Sequence, residues 1–167
     1  MAYTIYDASI PLMTRALQNL SKFTAKAVQQ AEAAKTPLSD LLEARLAGDM
    51  HPFTRQIQMA SDAAKGAAAR LAGIEAPSMP DTETSFPELQ ARIEKTIAFL
   101  KTVTPEQLSG AEDREIVLKF PNGEMKFSGR DFVGQFALPN FLFHVTTAYA
   151  LLRHKGAAIG KMDYLGG

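Results

Sequence analysis

The sequence has no cysteine, no tryptophan, three histidines and no net charge, with 18 Lys+Arg against 18 Asp+Glu in 167 residues. Without cysteine there can be no disulfide, no thiolate nucleophile and no Cys-ligated zinc or iron–sulfur centre. The balanced charge lacks the basic excess or stripe of a nucleic-acid footprint, so no nucleic-acid partner is expected. No apolar run of about 18 residues free of polar groups occurs, so no membrane span or membrane partner is expected. The opening MAYTIYDASI has neither a basic start nor an apolar run, so no signal peptide is expected. Glycine-rich phosphate loops, a nucleophile elbow and the Glu-x-x-His pairs of di-iron bundles are also missing. What remains is an ordinary globular composition, 46% hydrophobic and 22% charged. The length suits one domain, 1–167, with a single core, and a cytoplasmic location is expected.

Four segments repeat apolar residues at three- and four-residue steps, the period of a helix face. The first carries Ser9, Leu12, Met13, Ala16, Leu20, Phe23 and Ala27, and is expected from about Asp7, or somewhat earlier, to Ala34. Thr36-Pro37 stops it and opens a short extra helix, Leu38 to Ala47, ended by Gly48. Asp49 is the expected N-cap of the next helix, with Pro52 in its first turn. Its stripe is Phe53, Ile57, Ala60, Ala64, Ala67 and Leu71, closed by Gly73. Glu75 to Thr84 holds Pro77 and Pro80 without a period and is a loop. Ser85-Phe86-Pro87-Glu88 is a capping box that opens a third long helix, ended by Thr104-Pro105. Glu115–Phe120 and Glu124–Phe127 flank Pro121-Asn122-Gly123 and predict a β-hairpin. A last helix is expected over Asp131 to Leu152, and Ala157 to Gly167 is read as a tail. The expected fold is all-α, a four-helix bundle with a short extra helix and a small β-hairpin before the last helix.

That last helix is the most informative. Phe132, Phe136, Phe143 and Ala150 define one face, while Leu138, Phe141, Leu142, Val145, Tyr149, Leu151 and Leu152 cover nearly all the others. A helix apolar all round is buried on most sides, at the centre of a bundle or against a second subunit. Pro139 should kink it and free a carbonyl near Gln135. Within it Asn140, His144 and Thr147 recur at one-turn spacing as a polar seam. A buried polar group without a partner costs on the order of 1–3 kcal/mol, so the seam needs polar neighbours, water, a ligand or a metal. A histidine satisfied within the core is the plainest of these. At 100° per residue, Gln56 stands about 60° and Ser61 about 80° from the centre of the second long helix's stripe. His51 stands roughly 160° away and Asp62 nearly opposite. Gln56 can therefore face the seam, and His51 reads as an exposed residue at a helix start. The carboxylates fall on expected solvent faces. His154, beside Arg153 and Lys155, suits a helix C-terminus as a cap. Met50, Met59, Met79 and Met125 read as gap-filling core or edge residues.

The Asp49-Met50 start of the second long helix, the run Leu138-Pro139-Asn140-Phe141-Leu142-Phe143-His144-Val145-Thr146-Thr147-Ala148-Tyr149, and the ending Leu152-Arg153-His154-Lys155-Gly156 with Gly160-Lys161-Met162-Asp163-Tyr164-Leu165 form a pattern. Together they resemble a domain-of-unknown-function family within the DinB/YfiT-like metalloenzyme superfamily, over nearly the whole chain. The resemblance implies a DinB-like four-helix bundle, usually a homodimer. It also implies a divalent metal, zinc or nickel, held by one histidine of the second helix and a His-x-x-x-His pair on the last. Some branches of the superfamily are thiol transferases or thiol-dependent isomerases. Carried over residue by residue, His144 matches the second histidine of the pair, Asn140 stands at the first, and His51 is the one candidate from the second helix. That makes His144 and His51 the candidate metal ligands, fewer than the three protein ligands of a tight site.

Three functions are then expected, with catalysis left open. One is a small-molecule-binding or stress-related bundle protein with a degraded metal site, its ligand near Gln56, Asn140, His144 and Thr147. Another is a weak metal-dependent transferase or hydrolase, with His144 and His51 completed by Asn140 and water. A third is a non-catalytic dimeric interaction protein with the last helix as its seam.

Overall fold

A computed structural model describes residues 3–167, which are mostly helical with one two-stranded antiparallel hairpin. Helix α1 spans Ile5–Ala33. It takes the earlier start, at Ile5, because Thr4 and Asp7 cap each other. Thr4 Oγ1 accepts from Asp7 N at 3.2 Å, and the Asp7 carboxylate accepts from Thr4 N at 3.0 Å. Pro11 lies inside the helix and cannot donate to the Asp7 carbonyl; the Tyr3 hydroxyl does so instead, at 3.2 Å. The inward stripe is rotated from the expected one. Ile10 and Leu17 are buried, whereas Leu12 is exposed and Ala16 only partly covered.

The short helix α2 covers only Leu38–Leu42, not the expected stretch to Ala47. Helix α3, Phe53–Ala72, starts after Pro52, which occupies the N-cap position in an extended conformation with no side-chain cap. Asp49 is therefore not the cap. A residue before proline is pushed out of the helical region, so the helix cannot extend back through His51. At the far end Gly73 closes α3 at φ 68°, as the sequence indicates. The loop to Thr84 leads into α4, Phe86–Leu100, where Ser85 Oγ accepts from Glu88 N.

Strands β1, Glu115–Phe120, and β2, Gly123–Ser128, pair antiparallel from Glu115↔Ser128 to Phe120↔Gly123. Ile116 and Leu118 point into the core. A rod follows in three parts: the single turn α5 (Gly129–Asp131), a π-helical stretch (Phe132–Ala137) and α6 (Leu138–His154). The wide turn falls immediately before Pro139, which has no N–H to continue an α-helical ladder. It also changes the phase of the rod, so Phe143 does not share the buried face of Phe132. Phe143 is 54% exposed, so α6 is not enclosed on all sides. Gly129 cannot be replaced without movement. A Cβ there would sit 1.8 Å from the Ala111 carbonyl oxygen, where the loop before β1 crosses the rod.

Helices α1 and α3 each pack on both α4 and α6, and the core lies between these four. Residues expected to be a tail include another helix, α7 (Lys161–Leu165), docked on α1. Asn19 Nδ2 donates to the Tyr164 carbonyl at 3.0 Å, and Lys26 pairs with Asp163 at 2.9 Å. Among the described residues no helix is long and apolar enough to cross a membrane.

Candidate functional site

The packing of α3 against α6 brings Gln56 and His144 together, 88 residues apart in sequence, with Gln56 Oε1 2.8 Å from His144 Nδ1. Both side chains are buried. The direction of this bond follows from the next one. Gln56 Nε2 donates to the His51 carbonyl at 3.1 Å, so the amide group is oriented with its oxygen toward the imidazole. A carboxamide oxygen only accepts, so Nδ1 must carry the proton and donate. In a neutral ring the lone pair then lies on Nε2.

His144 is held below the ordinary histidine value of 6.5, first by burial and then by the nearby positive charges of His51 and Arg55. Its ring is therefore neutral at pH 7. Nε2 makes no hydrogen bond among the described residues. Among the described residues the fully enclosed polar side-chain atoms left unpartnered are Thr24 Oγ1, Gln90 Oε1 and Arg92 Nε, and His144 as a whole is 5% exposed. The arrangement is a fixed acceptor at the edge of an apolar interface, with its tautomer set from behind.

The other seam residues are placed differently. Thr147 turns its hydroxyl back onto its own helix, donating to the Phe143 carbonyl at 2.7 Å. Asn140 is half-buried and lines a separate groove with Asp62, Arg70 and Phe136. The His51 side chain is exposed, while its backbone carbonyl supports Gln56. His154 ends α6 and is exposed.

Among the described residues no group of three or more His, Cys, Asp or Glu side chains could hold a metal ion. His144 has one free nitrogen, and the oxygen of Gln56 is occupied by His144 itself. Thus His144 and His51 do not make the three-ligand zinc or nickel centre that the resemblance implies.

A second polar cluster, on the other side of α3, is absent from the sequence reading. Arg92 of α4 has a side chain only 1% exposed. Its Nη2 meets Asp62 at 2.8 Å and Asp81 at 3.0 Å, and its Nη1 meets Glu83 at 3.0 Å and the Pro80 carbonyl at 3.1 Å. Arg55 also pairs with Asp81, Lys65 with Asp62 at 3.0 Å, and Gln58 Nε2 donates to Glu83 at 2.9 Å. Burial pushes the Glu83 carboxyl up, but the hydrogen bonds from Gln58 and Arg92 and the Arg92 charge hold it below the ordinary range. The carboxylates assigned to solvent faces thus converge, and tie the loop after α3 onto α4. One signal could have found this: Arg92 shares the apolar face of Leu89, Ile93 and Thr96, where an arginine needs partners.

A crystal structure of a DinB family member protein from Shewanella denitrificans superposes on this chain with a TM-score of 0.90. The two are 37% identical, over 97% of this chain and 92% of that one. The fold is therefore that of a DinB-like protein. Residues 5–165 match the Domain of unknown function (DUF1993), and the chain belongs to that family. No curated protein matches it.

Proposed function

We propose that the protein is a small-molecule-binding DinB-like four-helix bundle that works without a three-ligand metal centre. Its ligand meets Nε2 of His144 at the α3–α6 seam, beside Gln56. The observation that carries this reading is the Gln56–His144 pair, which fixes Nδ1–H inward and leaves the Nε2 lone pair without a partner among the described residues. Such a nitrogen accepts a hydrogen bond from a hydroxyl or amide N–H, or takes a proton from one. Burial and the charges of His51 and Arg55 disfavour a cation there, so the ligand is a neutral or anionic molecule with an O–H or N–H donor. A thermal-shift and NMR screen of such compounds tests this, with His144→Ala and Gln56→Leu as controls. Hits whose binding depends on His144 support the site. Hits that bind wild type and His144→Ala alike count against it.

The protein is further proposed to form a homodimer across the outer face of α6. The specific support is Phe143, more than half exposed, with Pro139 and Thr146 exposed beside it. Sedimentation at micromolar concentration should give a dimer that Phe143→Glu dissociates; a wild-type monomer would remove the idea.

A further inference from the structure

We infer a second binding site, for a small aromatic carboxylate, in the groove where α3 meets the hairpin and the π-helical turn. The groove contains none of His51, Gln56 and His144, and measures about 150 Å³. An apolar cavity of roughly that size accommodates a benzene-sized body. Its floor is apolar, with Leu118, Phe132 and Ala137 buried. Its mouth is aromatic. Phe136 stacks on Phe132 with ring centres 6.1 Å apart and meets Phe120 at 60° and 6.4 Å, while Phe120 itself is 46% exposed. The half-exposed Phe120 ring at the mouth suits contact with a further ring.

The rim supplies positive charge that nothing else uses. Arg70 and Lys119 line the groove and make no ion pair among the described residues. Glu124, the register partner of Lys119 across the hairpin, is paired with Lys126 instead, at 3.3 Å. The one carboxylate in the groove, Asp62, is already bound by Arg92 and Lys65. A guanidinium fork matches a planar carboxylate with two parallel hydrogen bonds, and the Asn140 amide stands beside it with no side-chain partner among the described residues.

Gly66 gives the Arg70 guanidinium its seat. It lies mid-helix, where glycine is disfavoured by roughly 1 kcal/mol relative to alanine. A Cβ at this position would fall 2.6 Å from Arg70 Nη1, with nothing else but that guanidinium within 4 Å. The missing side chain therefore lets Arg70 lie along the helix beside the groove.

The test is a titration of the full chain, labelled with nitrogen-15, with benzoate as the probe. Saturable shifts are expected at the amides of Leu118, Phe120, Phe132, Ala137 and Asn140. Arg70→Ala should weaken binding roughly ten-fold or more, the scale of a charge-assisted contact. Gly66→Ala should weaken binding while leaving the fold as stable or more so, which separates the seat from a folding defect. Benzyl alcohol, lacking the charge, should bind more weakly, and His144→Ala should leave benzoate binding unchanged. No saturable shift at millimolar benzoate, shifts confined to other surfaces, or equal binding by Arg70→Ala would overturn the proposal.

Discussion

Helix α3 carries a polar cluster on each of two packed faces, and the two differ in how completely they are matched. Toward α4, three carboxylates meet three cations, Asp62, Asp81 and Glu83 against Arg55, Lys65 and Arg92, and extra hydrogen bonds come from Gln58 and the Pro80 carbonyl. Toward α6 there is one neutral pair, Gln56 with His144, and one ring nitrogen is left over. A network of paired charges fixes structure, because nearly every group in it, Arg92 Nε excepted, already has a partner. An unmatched acceptor kept at an interface, with its tautomer set by a second residue, is available to a ligand. The difference separates the part that holds the loop from the part proposed to bind a ligand.

The largest effect should come from breaking the matched side. Arg92→Ala leaves three carboxylates short of their central partner and should cost about 3–5 kcal/mol, read from the midpoint of denaturant unfolding. Arg92→Met, which fills the space without restoring the charge, should cost less than Arg92→Ala, because the Asp62 and Asp81 carboxylates reach water at 41% and 36% exposed. A loss under about 1 kcal/mol for Arg92→Ala would mean that the network is solvated and the contrast between the two faces is false.

On the α6 side, Gln56→Leu removes the acceptor for Nδ1–H and should cost about 1–3 kcal/mol. It should also free the imidazole to change tautomer, which Arg92 variants should not do. Equal stability of wild type and Gln56→Leu would show that the pair is not buried as described.

Acid separates the two faces by pH. The folded His144 binds its proton less readily than the ordinary value of 6.5, so the unfolded chain takes up protons first. Its contribution is complete above pH 6.5 and is lost as the pH falls from there toward the folded value. Glu83 is also held below its ordinary value, 4.5, and its contribution is lost only as the pH falls below that. Stability should thus decline in two stages. His144→Ala should abolish the first, and Glu83→Gln should reduce the second, which Asp7, Glu88, Glu106 and Asp163 share; a single decline unaffected by His144→Ala would contradict the assignment.

The smallest effect is expected at the surface. Lys26→Ala breaks an exposed pair with Asp163 and should leave the unfolding midpoint nearly unchanged, because α7 is also held through Asn19 and Tyr164.

What could be read from sequence follows the range of the interactions. Ser85 and Glu88, or Pro121-Asn122-Gly123, act within one turn of chain, and the α4 start and the hairpin were legible from them. Gln56 was legible as a residue able to face His144 because an angle around one helix suffices. The Arg92 cluster was not, since it depends on where the loop carrying Asp81 and Glu83 crosses back. Wheel counting through the rod assumed a constant turn, and the π-helical stretch before Pro139 changes its phase, which leaves Phe143 outside. Helix α7 is closed locally at both ends: Gly160 N donates to Asp163, three residues on, and Gly166 ends the turn at φ 79°.

The most direct measurement is the nitrogen-15 spectrum of the His144 imidazole in the folded protein at pH 7. The account predicts a neutral ring with the proton on Nδ1 and an unprotonated Nε2, and Gln56→Leu should disturb that pattern. A proton on Nε2 in the wild type, or a charged ring at that pH, would contradict it.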